Sequence, residues 1–191
     1  MSIFDKLKKA AGGVADGLKQ GVSSLGNKEE TFIFASLPES LAEMKSLPEA
    51  SLDDPYKTAA LTVCAICAYA ADKNVGLEML NWLRGPRPLG GGEISFLNDR
   101  FRDGKTYVPF SYFKGATPDN DYTPEVPFSI TVRSNPYSDA NEGYKKLFVR
   151  SSGADNDREI VLRRKGDGTW LLWEQFILVG IREPKSADPW A

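Results

Sequence analysis

Hydrophobic positions are spaced as in helices in the first half of the chain and as in strands in the second. Residues 59–71 form an almost entirely apolar run whose length predicts a buried central helix. Asp53 or Asp54 caps this helix, with Pro55 in its first turn. Similar signals predict further helices that begin at Ser36, Asn74 and Glu93 and end near residues 47, 83 and 101.

After Lys105 the apolar residues begin to alternate, which is typical of strands. Residues 107–113 are predicted to be extended or to form one short turn. Gly166-Asp167-Gly168 predicts a hairpin turn between the last two strands. The predicted strands are residues 128–133, 144–150, 159–165 and 169–181, with a further short candidate at 31–35. Helices followed by strands predict an α+β fold, with the helical N-terminal half packed on an antiparallel sheet of about four strands from the C-terminal half.

Residues 1–30 are predicted to be an amphipathic arm and linker, and residues 31–191 a single α+β domain. The apolar residues of the arm recur mostly at intervals of three or four, as on one side of a helix, while four glycines weaken that helix. Four lysines and two aspartates give residues 1–20 a charge of +2, whereas the whole chain carries −2. This pattern predicts contact of residues 1–25 with a membrane surface or a protein partner, and docking on this domain or on a second copy is the alternative. The candidate contact residues are Ile3, Phe4, Leu7, Val14 and Leu18.

The chain contains no histidine, which removes the commonest general base and the usual partner of a catalytic serine or cysteine. No recognisable catalytic motif replaces it, so the sequence favours a non-catalytic protein without a metal or cofactor. The small net charge argues against nucleic acid as a partner. Cys64 and Cys67 are predicted to be reduced, buried thiols, which favours the cytoplasm, with a peripheral position at the inner membrane surface if the arm binds lipid.

Three short motifs resemble redox, phosphate-binding or metal-binding sites but are better explained as structural features. Cys64-Ala-Ile-Cys67 has the spacing of redox and metal sites, but it lies within an apolar run and has no second pair. Gly90-Gly91-Gly92 precedes a helix and could cradle a phosphate, but it lacks the lysine of a P-loop and reads better as a flexible loop. The Asp-Asn-Asp triplets at 119–121 and 155–157 are predicted to be solvated turns.

Basic and aromatic residues cluster on the last predicted strands. A sheet face of this composition could bind an anionic ligand or a peptide carboxylate. The alternative is the charged, solvated outer face that antiparallel sheets commonly have. The candidate ligand-binding residues are Arg150, Arg158, Arg163, Trp170 and Trp173.

Five segments together resemble a bacterial family, the domain of unknown function DUF6935. They are Leu37-Pro38-Glu39-Ser40-Leu41, Asn81-Trp82-Leu83-Arg84-Gly85-Pro86, Gly115-Ala116-Thr117-Pro118 with Tyr122-Thr123-Pro124, Asn135-Pro136-Tyr137-Ser138, and Asp188-Pro189-Trp190. The resemblance runs from Leu37 to the C-terminus and implies no activity, cofactor or catalytic residue. The sequence therefore predicts a non-catalytic binding or interaction module, with a small-molecule or enzymatic pocket between helices and sheet as the alternative.

Overall fold

The computed structural model describes residues 27–191, which form one antiparallel sheet with helices packed on its inner face. The five strands lie in sequence order across the sheet, and each pairs antiparallel with its neighbour. The strands are β1 (Glu29–Phe34), β2 (Phe128–Arg133), β3 (Tyr144–Val149), β4 (Arg158–Arg164) and β5 (Trp170–Gln175). The predicted α+β class is confirmed, with four strands from the C-terminal half and one from the N-terminal end.

Within residues 27–191, four α-helices fall where apolar periodicity predicts them, although three of them begin at other residues than predicted. They are α1 (Leu41–Ser46), α2 (Pro55–Ala71), α3 (Lys73–Arg84) and α4 (Gly91–Arg100). Ser40, and not Ser36, caps α1 by accepting a bond from the Glu43 N–H. Asp72, and not Asn74, caps α3, because α3 follows α2 with one residue between them. Asp54 caps α2 as predicted.

Helix α2 is the centre of the hydrophobic core. Cys64 and Cys67 lie on it as free, fully buried thiols, which confirms the prediction for both. Burial raises the pKa of each thiol above its ordinary value, so neither is an activated nucleophile. Helix α2 packs against α3 and the inner face of the sheet, where Ile130, Leu147 and Ile160 are buried.

Residues 107–113, predicted to be extended or to form one short turn, lie largely in 3-10 helical turns that end at Tyr112. The 3-10 segment Arg102–Tyr112 is interrupted at residues 103–105, where the backbone is not helical. Strand β5 is shorter than predicted and ends at Gln175. Beyond the end of the strand, the buried Tyr112 hydroxyl donates a 2.6 Å hydrogen bond to the Ile177 carbonyl. Three further short 3-10 helices are Pro48–Ser51, Pro118–Asn120 and Lys185–Ala187.

The predicted hairpin between β4 and β5 is present. Asp167 accepts hydrogen bonds from the Thr169 N–H and hydroxyl, and Gly168 takes the positive φ of 92° that suits a residue without a β-carbon. Within residues 27–191, no helix is long and apolar enough to cross a membrane.

Candidate functional site

The arginines predicted as one basic face lie at opposite ends of β4. Arg158 is its first residue and pairs with Val149 of β3, whereas Arg163 pairs with Tyr144. Arg163 lies five positions after Arg158 along the extended strand, which corresponds to about 16 Å. The structure therefore brings Arg163 and Trp173 together and places Arg150 and Arg158 elsewhere.

At the first end of β4, the guanidinium groups are occupied by intramolecular partners. Arg158 donates to the carbonyls of Val179, Gly180 and Asn156 at 2.8–2.9 Å. Arg150 donates to the Asp155 carbonyl at 2.8 Å and forms an ion pair with Asp157 at 3.3 Å. These arginines hold the chain that follows β5 and the turn before β4.

At the other end of β4, a guanidinium stacks on aromatic rings. The Arg163 guanidinium carbon lies 4.7 Å from the centre of the Trp173 ring and 5.3 Å from that of Tyr144. The two rings meet edge to face, with centres 5.5 Å apart. A β-bulge places Trp173 here: Leu162 pairs with Leu172 and Val161 with Glu174, so Trp173 is the extra residue of β5.

The sequence interpretation missed two arginines that complete this cluster, both next to the end of α3. The Arg87 guanidinium carbon lies 4.2 Å from the centre of the Trp173 ring. The buried Arg84 side chain donates to the carbonyls of Arg87 and Trp173 and to the Glu93 carboxylate, at 2.8–3.1 Å. Burial lowers the pKa of Arg84, and the negative charge of Glu93 opposes that effect. Arg84 thereby fastens the loop that carries Arg87 to the edge of β5.

Trp170 lies outside this cluster, although the sequence grouped it with Trp173. Its ring is partly buried against the hydrophobic core. Its backbone carbonyl accepts a 2.7 Å hydrogen bond from the Thr58 hydroxyl of α2, and its N–H donates to the Leu52 carbonyl. Trp170 therefore anchors the start of β5 to the helical layer.

A cleft of about 430 Å³ opens between the Arg84–Arg87 loop and the β4–β5 hairpin, and we call it the basic cleft. Ten residues line it, five of them basic and none acidic. Arg84 is paired with Glu93 and Lys165 with Asp167. Within residues 27–191, the other three basic side chains form no ion pair. The lining residues are Arg84, Pro86, Arg87, Arg163, Arg164, Lys165, Gly166, Leu171, Leu172 and Trp173.

The prediction that Gly90-Gly91-Gly92 is a flexible loop is wrong, because Gly90 is the N-cap of α4 and Gly91 and Gly92 are its first two residues. Nor does this helix end stand free. Glu93 folds back to accept a 2.9 Å hydrogen bond from the Gly90 N–H, and its other oxygen holds Arg84. A carboxylate therefore already lies at the N-terminus of α4, where a phosphate would have to bind. In the part of the chain from residue 27 onward, no three Cys, Asp or Glu side chains come together as a metal site.

The candidate contact residues of the arm, Ile3, Phe4, Leu7, Val14 and Leu18, lie outside the described residues. The predicted contact of the arm with a membrane or partner therefore stays a prediction.

The family model of a domain of unknown function, DUF6935, matches residues 36–185. The chain belongs to this family. The family resemblance predicted from the sequence is confirmed, and the matched region contains the whole basic cleft. Comparisons with curated proteins and with solved structures give no match.

Proposed function

We propose that this DUF6935 domain is a non-catalytic binding module that holds an anionic group in the basic cleft. The observation that carries the proposal is the unpaired positive charge of the cleft. Arg87, Arg163 and Arg164 are exposed and have no carboxylate partner within residues 27–191. Guanidinium groups in this state bind carboxylates and phosphates through paired N–H donors.

The aromatic rings make the guanidinium groups better binding groups than solvated arginines. Arg87 and Arg163 both lie over the Trp173 ring, and Arg163 also lies over Tyr144. Stacking restricts each long side chain before a ligand arrives, so less conformational entropy is lost on binding. A guanidinium that stacks through its face keeps the N–H groups at its edge available. Arg163 uses none of them in a hydrogen bond among the described residues, and Arg87 uses one, which it donates to the Trp173 carbonyl at 3.4 Å.

The composition of the basic cleft supports binding over catalysis. Its lining has no carboxylate, hydroxyl or thiol that could act as a general base or a nucleophile. The groups present can hold an anion, and the surrounding Pro86, Leu171 and Trp173 can contact an apolar part of the same ligand.

Thermal denaturation at low ionic strength tests the proposal with citrate and inorganic phosphate. We expect millimolar citrate to raise the melting temperature of the full chain by several degrees, because a ligand at about 100 times its Kd stabilises by about 2.7 kcal/mol. The double variant R87Q/R163Q should lose this increase and remain folded. R102Q is the matched control, since Arg102 is an exposed arginine on another element. An equal increase in R87Q/R163Q and wild type would refute the site.

We further propose that residues 1–25 contact a membrane surface or a partner, on the strength of their sequence pattern alone. Co-sedimentation with anionic vesicles tests the membrane contact. The full chain should pellet at low salt and a chain lacking residues 1–27 should stay in the supernatant, because each lysine near an anionic surface contributes about 1 kcal/mol. Equal recovery of both chains in the supernatant would contradict membrane binding.

A further inference from the structure

A second cleft adjoins the basic cleft on the outer face of the sheet, and Trp173 lines both. This outer-face cleft has a volume of about 370 Å³. It is lined by strand residues of β3, β4 and β5, by the loop between β2 and β3, and by Phe176. A ligand held in the basic cleft can therefore continue past Trp173 along the sheet. The residues that line the outer-face cleft are Tyr137, Ser138, Ala140, Asn141, Tyr144, Lys146, Glu159, Val161, Trp173, Glu174 and Phe176.

The two clefts differ in charge. The single cation of the outer-face cleft, Lys146, is paired with Glu159 at 3.4 Å. Glu174 adds an exposed carboxylate that forms no ion pair within residues 27–191. A polyanion such as RNA or a sulfated polysaccharide finds free cations in one cleft only and a negative charge in the next. The two clefts together favour a ligand that has one anionic group, for the basic cleft, and an uncharged part, for the outer-face cleft.

The outer-face cleft also exposes large apolar side chains. Tyr137 is 75% exposed and Phe176 is 47% exposed, and both flank the cleft that Trp173 lines. Tyrosine, tryptophan, phenylalanine and arginine are the residue types enriched at protein interfaces and at their energetic centres. Here these types form one continuous surface, from Arg87 and Arg163 through Trp173 to Phe176.

Polar groups in the outer-face cleft are available for an amide backbone. The Asn141 side chain and the Tyr144 hydroxyl make no hydrogen bond within residues 27–191. A side-chain amide can both donate to a peptide carbonyl and accept from a peptide N–H. The Asn141 amide and the Tyr144 hydroxyl can therefore each form a hydrogen bond with a peptide group of a ligand in this cleft.

Resting on the anion-binding function above, we infer that the ligand is an acidic peptide segment of a partner protein, with one carboxylate in the basic cleft and neighbouring apolar residues in the outer-face cleft. The carboxylate belongs to an aspartate, a glutamate or a chain terminus. The positive charge of the basic cleft determines where the acidic residue of the peptide binds. The aromatic side chains of the outer-face cleft favour apolar residues next to it.

Selection from a displayed random octapeptide library on the full chain identifies such segments. We expect enriched peptides to contain one acidic residue next to apolar or aromatic residues. The affinity of a selected peptide, measured by fluorescence polarisation, should fall by at least about tenfold in R87Q/R163Q, because the variant loses the charge-assisted hydrogen bonds to the peptide carboxylate. Peptides rich in acidic residues without an apolar preference would overturn the inference.

The variant Y137S/F176S separates the peptide inference from the anion-binding function. The variant should lower the affinity for the selected peptide about tenfold, because Tyr137 and Phe176 line the outer-face cleft. It should change the affinity for citrate less than about twofold, since both side chains lie outside the basic cleft. W190S is the matched control, because Trp190 is 93% exposed and lines neither cleft.

Unchanged peptide affinity in Y137S/F176S, or no enrichment while citrate still binds, would overturn the inference and leave the anion site standing. Loss of both citrate stabilisation and peptide enrichment in the wild-type chain would overturn the proposed function itself.

Discussion

Arginines at the two ends of β4 have different roles, one in holding the fold together and the other in the candidate binding site. At the first end, Arg158 donates to three carbonyls and Arg150 to a carbonyl and a carboxylate. At the last end, Arg163 stacks on Trp173 and Tyr144 and has no ion pair among the described residues. The difference shows that arginine density on a sheet does not locate a binding site. A site needs guanidinium groups whose N–H donors the fold has left unused.

The first end of β4 also holds the chain that follows β5. Arg158 binds the carbonyls of Val179 and Gly180, the Tyr112 hydroxyl binds the Ile177 carbonyl, and the Tyr122 hydroxyl binds the Arg182 carbonyl at 2.7 Å. These bonds fix residues 177–182 to β4 and to the segments that carry Tyr112 and Tyr122. The contrast between the two ends therefore predicts opposite responses to mutation: lost stability at one end and lost binding at the other.

The largest effect is expected for Arg158→Ala. Three charge-assisted hydrogen bonds to carbonyls disappear, and the variant should lose about 3 kcal/mol of unfolding free energy after allowance for partial exposure. Urea denaturation measures the loss. A change below about 1 kcal/mol would show that water can replace the hydrogen bonds of Arg158 at little cost. Arg158 would then not be a structural residue in contrast to Arg163.

The second-largest effect on stability is expected when the pH is raised, and it comes from Tyr112 and Tyr122. Burial raises the pKa of Tyr122 to about 12, and it also raises that of Tyr112. Because an unfolded tyrosine titrates near 10, the unfolded state releases its proton first as the pH rises. The stabilising contribution of Tyr122 is therefore complete below pH 10 and is lost between pH 10 and 12, by about 2 kcal/mol after allowance for solvent screening. The contribution of Tyr112 also begins to fall above pH 10, because its pKa is raised in the same direction.

Urea denaturation between pH 8 and 11 tests this effect, with Y112F/Y122F as the comparison. The double variant should be less stable at pH 8, where two hydrogen bonds are missing, and should show a flatter decline above pH 10. Parallel declines in the two proteins would assign the alkaline loss to other groups.

The smallest effect on stability is expected for Arg163→Ala. The residue is exposed and without an ion pair among the described residues, so the unfolding free energy should change by about 0.5 kcal/mol or less. The same variant should weaken citrate binding about tenfold, as isothermal titration calorimetry would record. A loss of stability as large as that of Arg158→Ala would mean that both ends of β4 are structural.

The elements of the fold could be predicted because each carries a local signal. The apolar run of α2 and the Gly-Asp-Gly hairpin are examples. Helix starts were less certain: Ser36 and Ser40 both satisfy the capping pattern locally, and the path of the chain after β1 decides between them. Strand β5 looked longer because Ile177 and Leu178 are apolar, yet they are buried outside the sheet.

The candidate site was only partly predictable. Arg163 and Trp173 were grouped because β4 and β5 adjoin in sequence. Arg87 carries no such signal, since it reaches Trp173 only through the bulge in β5 and the anchoring of its loop by Arg84. Nor could the sequence show that the Arg158 guanidinium is already hydrogen-bonded within the protein, because two of its carbonyl partners lie 21 and 22 residues further along the chain.

The pairing of β1 with β2 has a consequence for how the protein is made. Thr31 and Thr131 share a 2.8 Å hydrogen bond across 100 residues of chain. During synthesis, β1 leaves the ribosome long before its partner strand β2 exists, and the four α-helices of the described part of the chain emerge in between. Such a high contact order slows folding, because the long loop must close before its contacts repay the entropy lost. Strand β1 can therefore join the sheet only after residues 128–133 have been translated, and until then Phe32 and Phe34 lack the β2 strand against which they are buried in the folded protein.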